Sequence, residues 1–456
     1  MEANKKKFSL KGMQVGVVSL GCDKNRIDTE NMMTYLQKEG ASFIAEPSEA
    51  DIIIVNTCAF IKSSRDETYR TIEEMASYRK VGRCTCLVVT GCYPQLKLKD
   101  LRNDFPEIDI FLGTNEYSHI VEVIKEFYTK DEKGDIVQVS DNFNIESVDE
   151  GRVVTTPSYY AYLKIADGCD NFCSYCLIPY IRGRYRSRDI DSIIKEANSL
   201  VKNGAKELIL VAQDVAKYGE DLYKENRLAQ LIKKLSEIEG IKWIRLLYCY
   251  PEHLSDDAIN ELKHNPKVCG YIDIPFQHVN NDILKVMNRK VQKGDLIRLI
   301  EDLRRSEKYI AIRSTFILGF PGETRSEFEE LLKFIKEYKM PNVGFFTYSR
   351  EDGTVAARLD NQVDEITKKR RLLKAVRVQK KIVMEYNKSF IGKQIKVLYE
   401  GIDTESGQNV ARSEFQAPDI DTITYITNGG RLIPGEFYNV TIDKVKGYDL
   451  YGHVNY

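Results

Sequence analysis

Three short runs of consecutive apolar residues, Gln14 to Leu20, Asp51 to Val55 and Cys86 to Thr90, punctuate the start of the chain. Between them, Asp28 to Glu39 and Arg65 to Arg79 mix apolar and polar residues as helices do, each long enough for a crossover connection. Unbroken Val/Ile/Leu strands alternating with helices predict an α/β fold: a doubly wound parallel sheet, buried on both faces. Such a sheet delivers the carboxyl ends of its strands to one edge, where ligands bind.

Residues 131 to 159, with Lys, Asp, Gly, Ser and Thr interspersed, read as an irregular linker with room for one strand, ending near Pro157. The pattern then resumes. Strand-like Ala161–Ala166, Lys206–Ala212, Lys242–Tyr248, Gly270–Ile274, Ile310–Leu318 and Asn342–Tyr348 alternate with helix-like Ile190–Asn203, Arg227–Ile238, Asp256–His264, Asp295–Ser306 and Ser326–Lys339. About six βα units in a row predict a TIM-like barrel, complete or partial. A charged helix, Asp364 to Asn387, follows. Short β-rich runs at Gln394–Tyr399, Asn409–Ser413, Thr422–Ile426 and Phe437–Val445 then predict a small antiparallel β-barrel. The expected domains are 1–130, a linker 131–159, a barrel with its trailing helix 160–388, and a β-barrel 389–456.

Composition narrows the partners. Lys and Arg number 67 against 68 Asp and Glu, which argues against a globally basic nucleic-acid binder and leaves only local patches. No apolar run approaches the ~18 residues of a membrane span. Lys5-Lys6-Lys7-Phe8-Ser9-Leu10-Lys11 begins like a secretory signal, but Lys11 and Gln14 interrupt it before an apolar core forms. A cytoplasmic chain is expected, so its ten cysteines favour metal binding or catalysis over disulfides.

Two sets of cysteines stand out. Cys169, Cys173 and Cys176 occupy one loop at C-x3-C-x2-C spacing, directly after the strand Ala161–Ala166. Soft thiolates at this spacing suit an iron–sulfur cluster or zinc. Zinc closes its tetrahedron with a fourth ligand, and the nearest His or Cys outside the loop are His119 and Cys249. A four-iron cluster on three cysteines instead leaves one iron open. Cys22, Cys58 and Cys92 each follow the carboxyl end of a predicted strand and should converge; the plainer alternative is buried core thiols. Cys84 and Cys86, before and inside the third strand, read as structural.

Further candidates lie at other strand ends. Arg313 and Thr315, with the turn Gly319 to Glu323, suit a carboxylate and an adenine; the alternative is a plain strand and Pro-Gly turn. Gln213 and Asp214 end one strand and Asp273 to His278 another, with no metal role assigned to His278. The basic stretch Arg182 to Arg188 suits RNA phosphate, an acidic protein partner, or carboxylates between domains. Lys368-Lys369-Arg370-Arg371 reads as a solvated helix face, with a nucleic-acid contact the lesser alternative.

The loop from Cys169 to Cys176, with Tyr175 before its last cysteine, resembles that of the radical S-adenosylmethionine (SAM) enzymes. Three domains and two cysteine sets together resemble the methylthiotransferases, over nearly the whole chain, which end in a TRAM barrel. The resemblance implies two [4Fe-4S] clusters, one on Cys169, Cys173 and Cys176 and a sulfur-carrying one on Cys22, Cys58 and Cys92. It implies SAM as both methyl donor and radical source, with Tyr175, Gln213, Arg313 and Thr315 as its candidate contacts and no catalytic residue beyond the cluster ligands.

Ser19-Leu20-Gly21-Cys22-Asp23-Lys24-Asn25 and the run Ala411 to Asp421 resemble one branch of that family. It adds a methylthio group to the β-carbon of an aspartate in the twelfth small-subunit ribosomal protein. The branch acting on tRNA adenosine usually carries Gln-Met-Asn after its first cysteine. Residues 389 to 456 hold six basic and nine acidic residues, and a net −3 suits a basic protein better than RNA. Implied partners are that ribosomal protein, in or near the small subunit, a sulfur donor and an electron-donor protein, with no membrane and nucleic acid at most a contact. The rivals are a tRNA methylthiotransferase and a zinc-containing RNA- or ribosome-binding protein.

Overall fold

The computed structural model describes residues 8–131, 134–145, 148, 151–428 and 430–455. Lys5 to Lys7 of the basic start, and part of the expected linker, lie outside the described residues. Backbone contacts divide the chain into two compact units. The first takes Met1–Thr156, Tyr162–Phe172 and Cys176–Leu200, and the second Pro157–Ala161, Cys173–Tyr175 and Val201–Tyr456.

In the first unit β1 (Gln14–Ser19), β2 (Ser42–Ile44), β3 (Ile52–Thr57), β4 (Cys86–Gly91), β5 (Ile110–Leu112) and β6 (Ile136–Gln138) form one sheet in the order β2-β1-β3-β4-β5-β6. Every ladder is parallel. The unbroken apolar runs have the physical cause expected of them, because alternate residues enter two different cores. Ile53, Val55, Leu87 and Val89 pack with Ile72 and Met75 of the helix Lys62–Val81. Ile52, Ile54, Cys86 and Val88 pack with Met32 and Leu36 of the helix Asp23–Lys38.

The strand order reverses at β1, so β1 and β3 flank the switch point where such sheets take ligands. The expected linker contributes more than its composition suggests. It supplies β6, and further on Arg152 is buried against Glu30 and Glu196, while Val153 N donates to Thr34 Oγ1 at 2.7 Å.

Two short strands, β8 (Ala166–Asp167) and β9 (Arg186–Ser187), pair antiparallel around the cysteine loop. They follow β7 (Tyr160–Lys164). The central sheet adds β10 (Glu207–Val211), β11 (Trp243–Leu246), β12 (Val268–Asp273), β13 (Ala311–Leu318) and β14 (Asn342–Thr347), in the order β14-β13-β12-β11-β10-β7. The ladders from β10 to β14 are parallel, and the sheet stays open, as a partial barrel does.

The helix Glu365–Lys388 follows, and its basic run is only half a solvated face. Lys368 and Arg371, three apart on one side of the helix, are buried; Lys368 Nζ donates to Tyr348 O (2.9 Å) and Arg371 Nη1 to Glu323 O (3.0 Å). Lys369 and Arg370 remain exposed.

The chain ends in a closed barrel of β15 (Gln394–Ile402), β16 (Asn409–Ser413), β17 (Thr424–Ile426), β18 (Phe437–Lys446) and β19 (Asp449–Val454). Four ladders are antiparallel and one, β17–β19, is parallel. Strand β19 escapes the sequence pattern because only alternate residues, Leu450, Gly452 and Val454, are buried among polar neighbours.

Glu207 of β10 anchors the barrel within its unit: it accepts from Arg245 Nε and from Arg412 Nη2, both at 2.7 Å, and Arg412 Nε also reaches Glu400 at 3.0 Å. Burial opposes the Glu207 charge, but Arg412 and Arg245 overcome it and hold its pKa below the usual carboxylate range. Glu414 accepts from Gly270 N (2.6 Å), and Asp421 from the Tyr271 hydroxyl (2.8 Å). The net −3 of the barrel is therefore not displayed. The exposed charges of the barrel are Lys393, Lys396, Arg431, Lys444 and Lys446 against Glu405, Asp419, Glu436 and Asp443, so its acidity gives no support to a basic protein partner.

Glu207→Gln leaves two buried guanidinium groups short of a charge partner. Unfolding in urea should show a loss of about 3–5 kcal/mol, while Glu405→Gln at the surface should stay within about 0.5 kcal/mol of wild type.

Candidate metal centres

Cys22 is the N-cap of the helix Asp23–Lys38, just past β1. Cys58 follows β3 directly, and Cys92 opens the helix Cys92–Asp104 after β4. The strand order brings these three loops together. A Cβ on Gly21, whose φ is +93°, would stand 2.9 Å from Cys58 Cβ and 3.1 Å from its Sγ, so only glycine lets the two loops approach. The three thiols also act on one another electrostatically.

All three are free thiols, and among the described residues no three His, Cys, Asp or Glu side chains close into a metal-holding set. Burial pushes the Cys58 thiol up and the Cys92 thiol up to about 12, with Arg182 acting against burial in both. Thiols gathered beside a buried cation suit a soft metal, whose binding displaces their protons.

Asn25 holds these loops in place. Its Nδ2 donates to Leu20 O (3.0 Å) and Thr57 O (2.9 Å), and its Oδ1 receives Arg182 Nη2 (2.5 Å) and lies 3.6 Å from Cys92 Sγ. Asn56 Nδ2 returns to Asn25 O at 2.9 Å. Arg182 also pairs with Asp28 (2.9 Å) and Asp167 (2.8 Å), and Lys164 pairs with the same two carboxylates. All four charged groups are buried.

Of the readings open to the stretch Arg182 to Arg188, pairing with carboxylates is the one observed. Arg182 takes Asp28 and Asp167, Arg184 takes Asp170, and Arg188 takes Glu196. Asp167 and Lys164 pull each other's pKa in opposite directions. Burial opposes both charges, but Arg182 and Lys164 keep the Asp167 carboxyl well below its usual value, and Asp28 keeps the Lys164 ammonium above its own.

The second cysteine loop is fastened at both ends. Gly168 has φ +77°, and a Cβ there would lie 2.0 Å from Arg184 O. Cys169 N donates to Gly183 O (3.1 Å), and Ile178 N to Cys176 Sγ (3.4 Å). Mid-loop, Ser174 N donates to Met287 O (3.0 Å) and Ala356 N to Ser174 O (2.7 Å). The Tyr175 ring meets Phe320 edge-on at 6.3 Å.

Cys173 Sγ lies 4.0 Å from the Tyr250 hydroxyl, and the buried Arg289 guanidinium stacks over the Tyr250 ring at 4.2 Å. Neither Tyr250 nor Arg289 carries a motif that would mark it. Left-handed backbone at Tyr248 (φ 58°) and Gln277 (φ 67°), just past β11 and β12, marks the same kind of strand-end rim.

Gln213 is partly buried just past β10, and its neighbour Asp214 accepts from His253 Nδ1 at 2.6 Å. Thr315 lies opposite Gly344, and its carbonyl accepts from Gln277 N at 2.8 Å. Arg313 is in the first half of β13, paired with Asp273 (3.3 Å) and Asp421 (3.5 Å) rather than at the strand's carboxyl end. His278 is buried: its Nδ1 accepts from Asn280 N (3.0 Å) and its Nε2 lies 3.3 Å from Glu323. Cys84 and Cys86 are core thiols.

Three family models match the chain. The uncharacterized protein family UPF0004 covers residues 14–113, the Radical SAM superfamily 163–335, and the TRAM domain 391–454. The chain is 47% identical, over 97% of its length and 98% of the relative's, to a protein named ribosomal protein uS12 methylthiotransferase RimO of Clostridium botulinum (strain Eklund 17B / Type B). Proteins of the same name from Clostridium perfringens (strain 13 / Type A) and Thermoanaerobacter sp. (strain X514) are 46% and 45% identical, over 97% and 96% of this chain and 98% and 99% of theirs. The chain belongs to the RimO family.

The RimO-family fold also resembles more distant solved structures. The radical S-adenosylmethionine methyltransferase TsrM from Kitasatospora setae aligns with a TM-score of 0.57 at 15% identity, over 76% of this chain and 77% of its own. The cobalamin-dependent radical enzyme OxsB aligns at 0.53 and 14%, over 82% and 56%. Among the described residues no helix is long and apolar enough to cross a membrane.

Arg182→Met should cost about 3–5 kcal/mol in urea unfolding, because it strands Asp28 and Asp167 in the interior. His253 offers a pH readout. Burial lowers its pKa, but the hydrogen bond it donates to Asp214 outweighs burial and raises it. The stability this pair contributes is complete below the unfolded value of about 6.5 and is lost as pH rises through the higher folded value. NMR titration should place the His253 midpoint above that of an unfolded histidine, and Asp214→Asn should bring it down.

Proposed function

We propose that this chain is a radical SAM methylthiotransferase that replaces a hydrogen on the β-carbon of an aspartate in ribosomal protein uS12 by a methylthio group. The observation that carries the proposal is a pair of three-cysteine sets at the strand ends of two parallel sheets, in a chain matching RimO relatives from end to end. Cys169, Cys173 and Cys176 hold the cluster that engages SAM. Cys22, Cys58 and Cys92 hold a second cluster.

When bound, the clusters and SAM supply one-electron chemistry, a carbon-centred radical, and the sulfur and methyl of the product. The protein's own residues fix and insulate those sites. Gly21 and Asn25 draw the first three loops together, and Arg182 places a buried positive charge beside Cys22 and Cys92. Arg289 places another near Cys173, and Tyr175 packs the loop down on Phe320. Gln213, Thr315 and Tyr175 line the SAM side. Arg313 joins them only by exchanging Asp273 or Asp421 for the cofactor's carboxylate. The reaction consumes sulfur and electrons, so a sulfur donor and an electron-donor protein are the remaining partners, met in the cytoplasm where uS12 is assembled.

Anaerobically reconstituted enzyme incubated with SAM, sulfide, reductant and uS12 should add one methylthio group, seen by intact-mass analysis, and should carry about eight irons. Cys22→Ala should retain about four irons and SAM cleavage yet leave uS12 unmodified, whereas Cys176→Ala should lose both reactions. Bound zinc without SAM cleavage would overturn the proposal, and methylthio-adenosine in tRNA with unmodified uS12 would move the chain to the tRNA branch.

A further inference from the structure

The helix Glu365–Lys388 buries Lys368, Arg371, Ala375, Gln379, Ile382 and Val383 against its own unit. Its other side is exposed and strongly basic: Lys369, Arg370, Arg377, Lys380, Lys381 and Lys388. With 3.6 residues per turn, these six fall within an arc of about 120°, and at 1.5 Å per residue they extend over roughly 28 Å.

Among the described residues none of the six has a carboxylate within ion-pair distance. The helix's two acids are engaged elsewhere, Glu365 with Lys368 and Glu385 with Lys339, and Glu329 takes Lys374. Asp421 and Asp449 share a groove with Lys380, but Asp421 is held by Tyr271 and Arg313, and Asp449 accepts from Ile423 N. Arg377 and Lys381 stand four apart, where like charges repel along a helix.

The exposed apolar residues of the arc, Ile366, Leu373 and Met384, fall on a strip about 20° wide with cations on both sides, too narrow to make an apolar face of their own. A helix lying on a membrane separates the two kinds. An extended row of cations without a segregated apolar face matches a polyanion with evenly spaced charges, and RNA phosphate is that polyanion.

We propose that this arc is a docking strip for the backbone of duplex RNA. The strip itself stands on the charge pattern; its use rests on the uS12 reading above, since a ribosomal protein in place is surrounded by RNA. The enzyme then meets its acceptor protein while held on the neighbouring RNA. Sequence-independent phosphate contacts suit this, because they position a protein without reading bases.

The test uses full-length reconstituted enzyme and the variant K369Q/R377Q/K381Q/K388Q, whose substitutions are all exposed. Its thermal midpoint should equal the wild type's, which verifies folding. Against a short RNA duplex of arbitrary sequence, the variant should bind at least tenfold more weakly at low salt. The slope of log K against log salt should fall by about 3–4, the share of four phosphate contacts. Methylthiolation of free uS12 should be unchanged, and that of uS12 within purified small subunits should drop about tenfold.

Unchanged duplex affinity and slope would overturn the proposal. So would weakened binding to polyglutamate with RNA binding intact, which would assign the strip to an acidic protein. If the wild type binds the duplex with the steep salt slope and the variant does not, while neither form of uS12 is modified, the strip stands and the uS12 reading fails.

Discussion

A single buried guanidinium, that of Arg182, ties the candidate sulfur-carrying centre to the rest of its unit. Burial works against its charge, and Asp167 and Asp28 restore it so fully that its pKa lies well above that of a free arginine. The partners come from different parts of the chain: Asp28 and Asn25 from the first helix, Asp167 from the short strand just before Cys169. Ion pairs this deep add little net stability. What they impose is arrangement, because each group is tolerable only when all the others are in place.

The strand order is the second constraint. A parallel sheet that reverses at β1 brings the loops after β1, β3 and β4 together, and Cys22, Cys58 and Cys92 occupy those loops. Gly21 then becomes obligatory, since any side chain there would occupy the space of Cys58. Burial raises the Cys58 and Cys92 thiols among them. The site is thereby better suited to a metal that takes their protons than to free thiolate chemistry.

Much of this was legible in the sequence because it is local. The loop from Cys169 to Cys176 needs no folding to be seen, and runs such as Ile52 to Val55 announce a strand buried on both faces. Other features depend on tertiary placement. Asn25 and Arg182 are separated by most of the first unit, and nothing near either residue names the other. Arg289 beside Tyr250 is invisible for the same reason. Strand β6 is the one strand that the linker had room for, whereas β19 has too few apolar residues to stand out. Arg313 looked suited to a cofactor carboxylate because sequence spacing cannot reveal that Asp273 and Asp421 already face it.

Charge shows most plainly why composition misleads in this chain. Near-neutrality overall and a net −3 in the last barrel both describe sums, and sums ignore partners. Folding consumes carboxylates wherever arginine is buried: Glu207 and Glu400 with Arg412, Glu323 with Arg371, Asp28 and Asp167 with Arg182. Each such pair takes an acid and a base out of the surface together. The cations of the helix Glu365–Lys388 that face outward are left without that compensation. A protein balanced in composition can therefore present a row of uncompensated positive charge, and its position on one rigid helix gives that row the fixed spacing a polyanion requires.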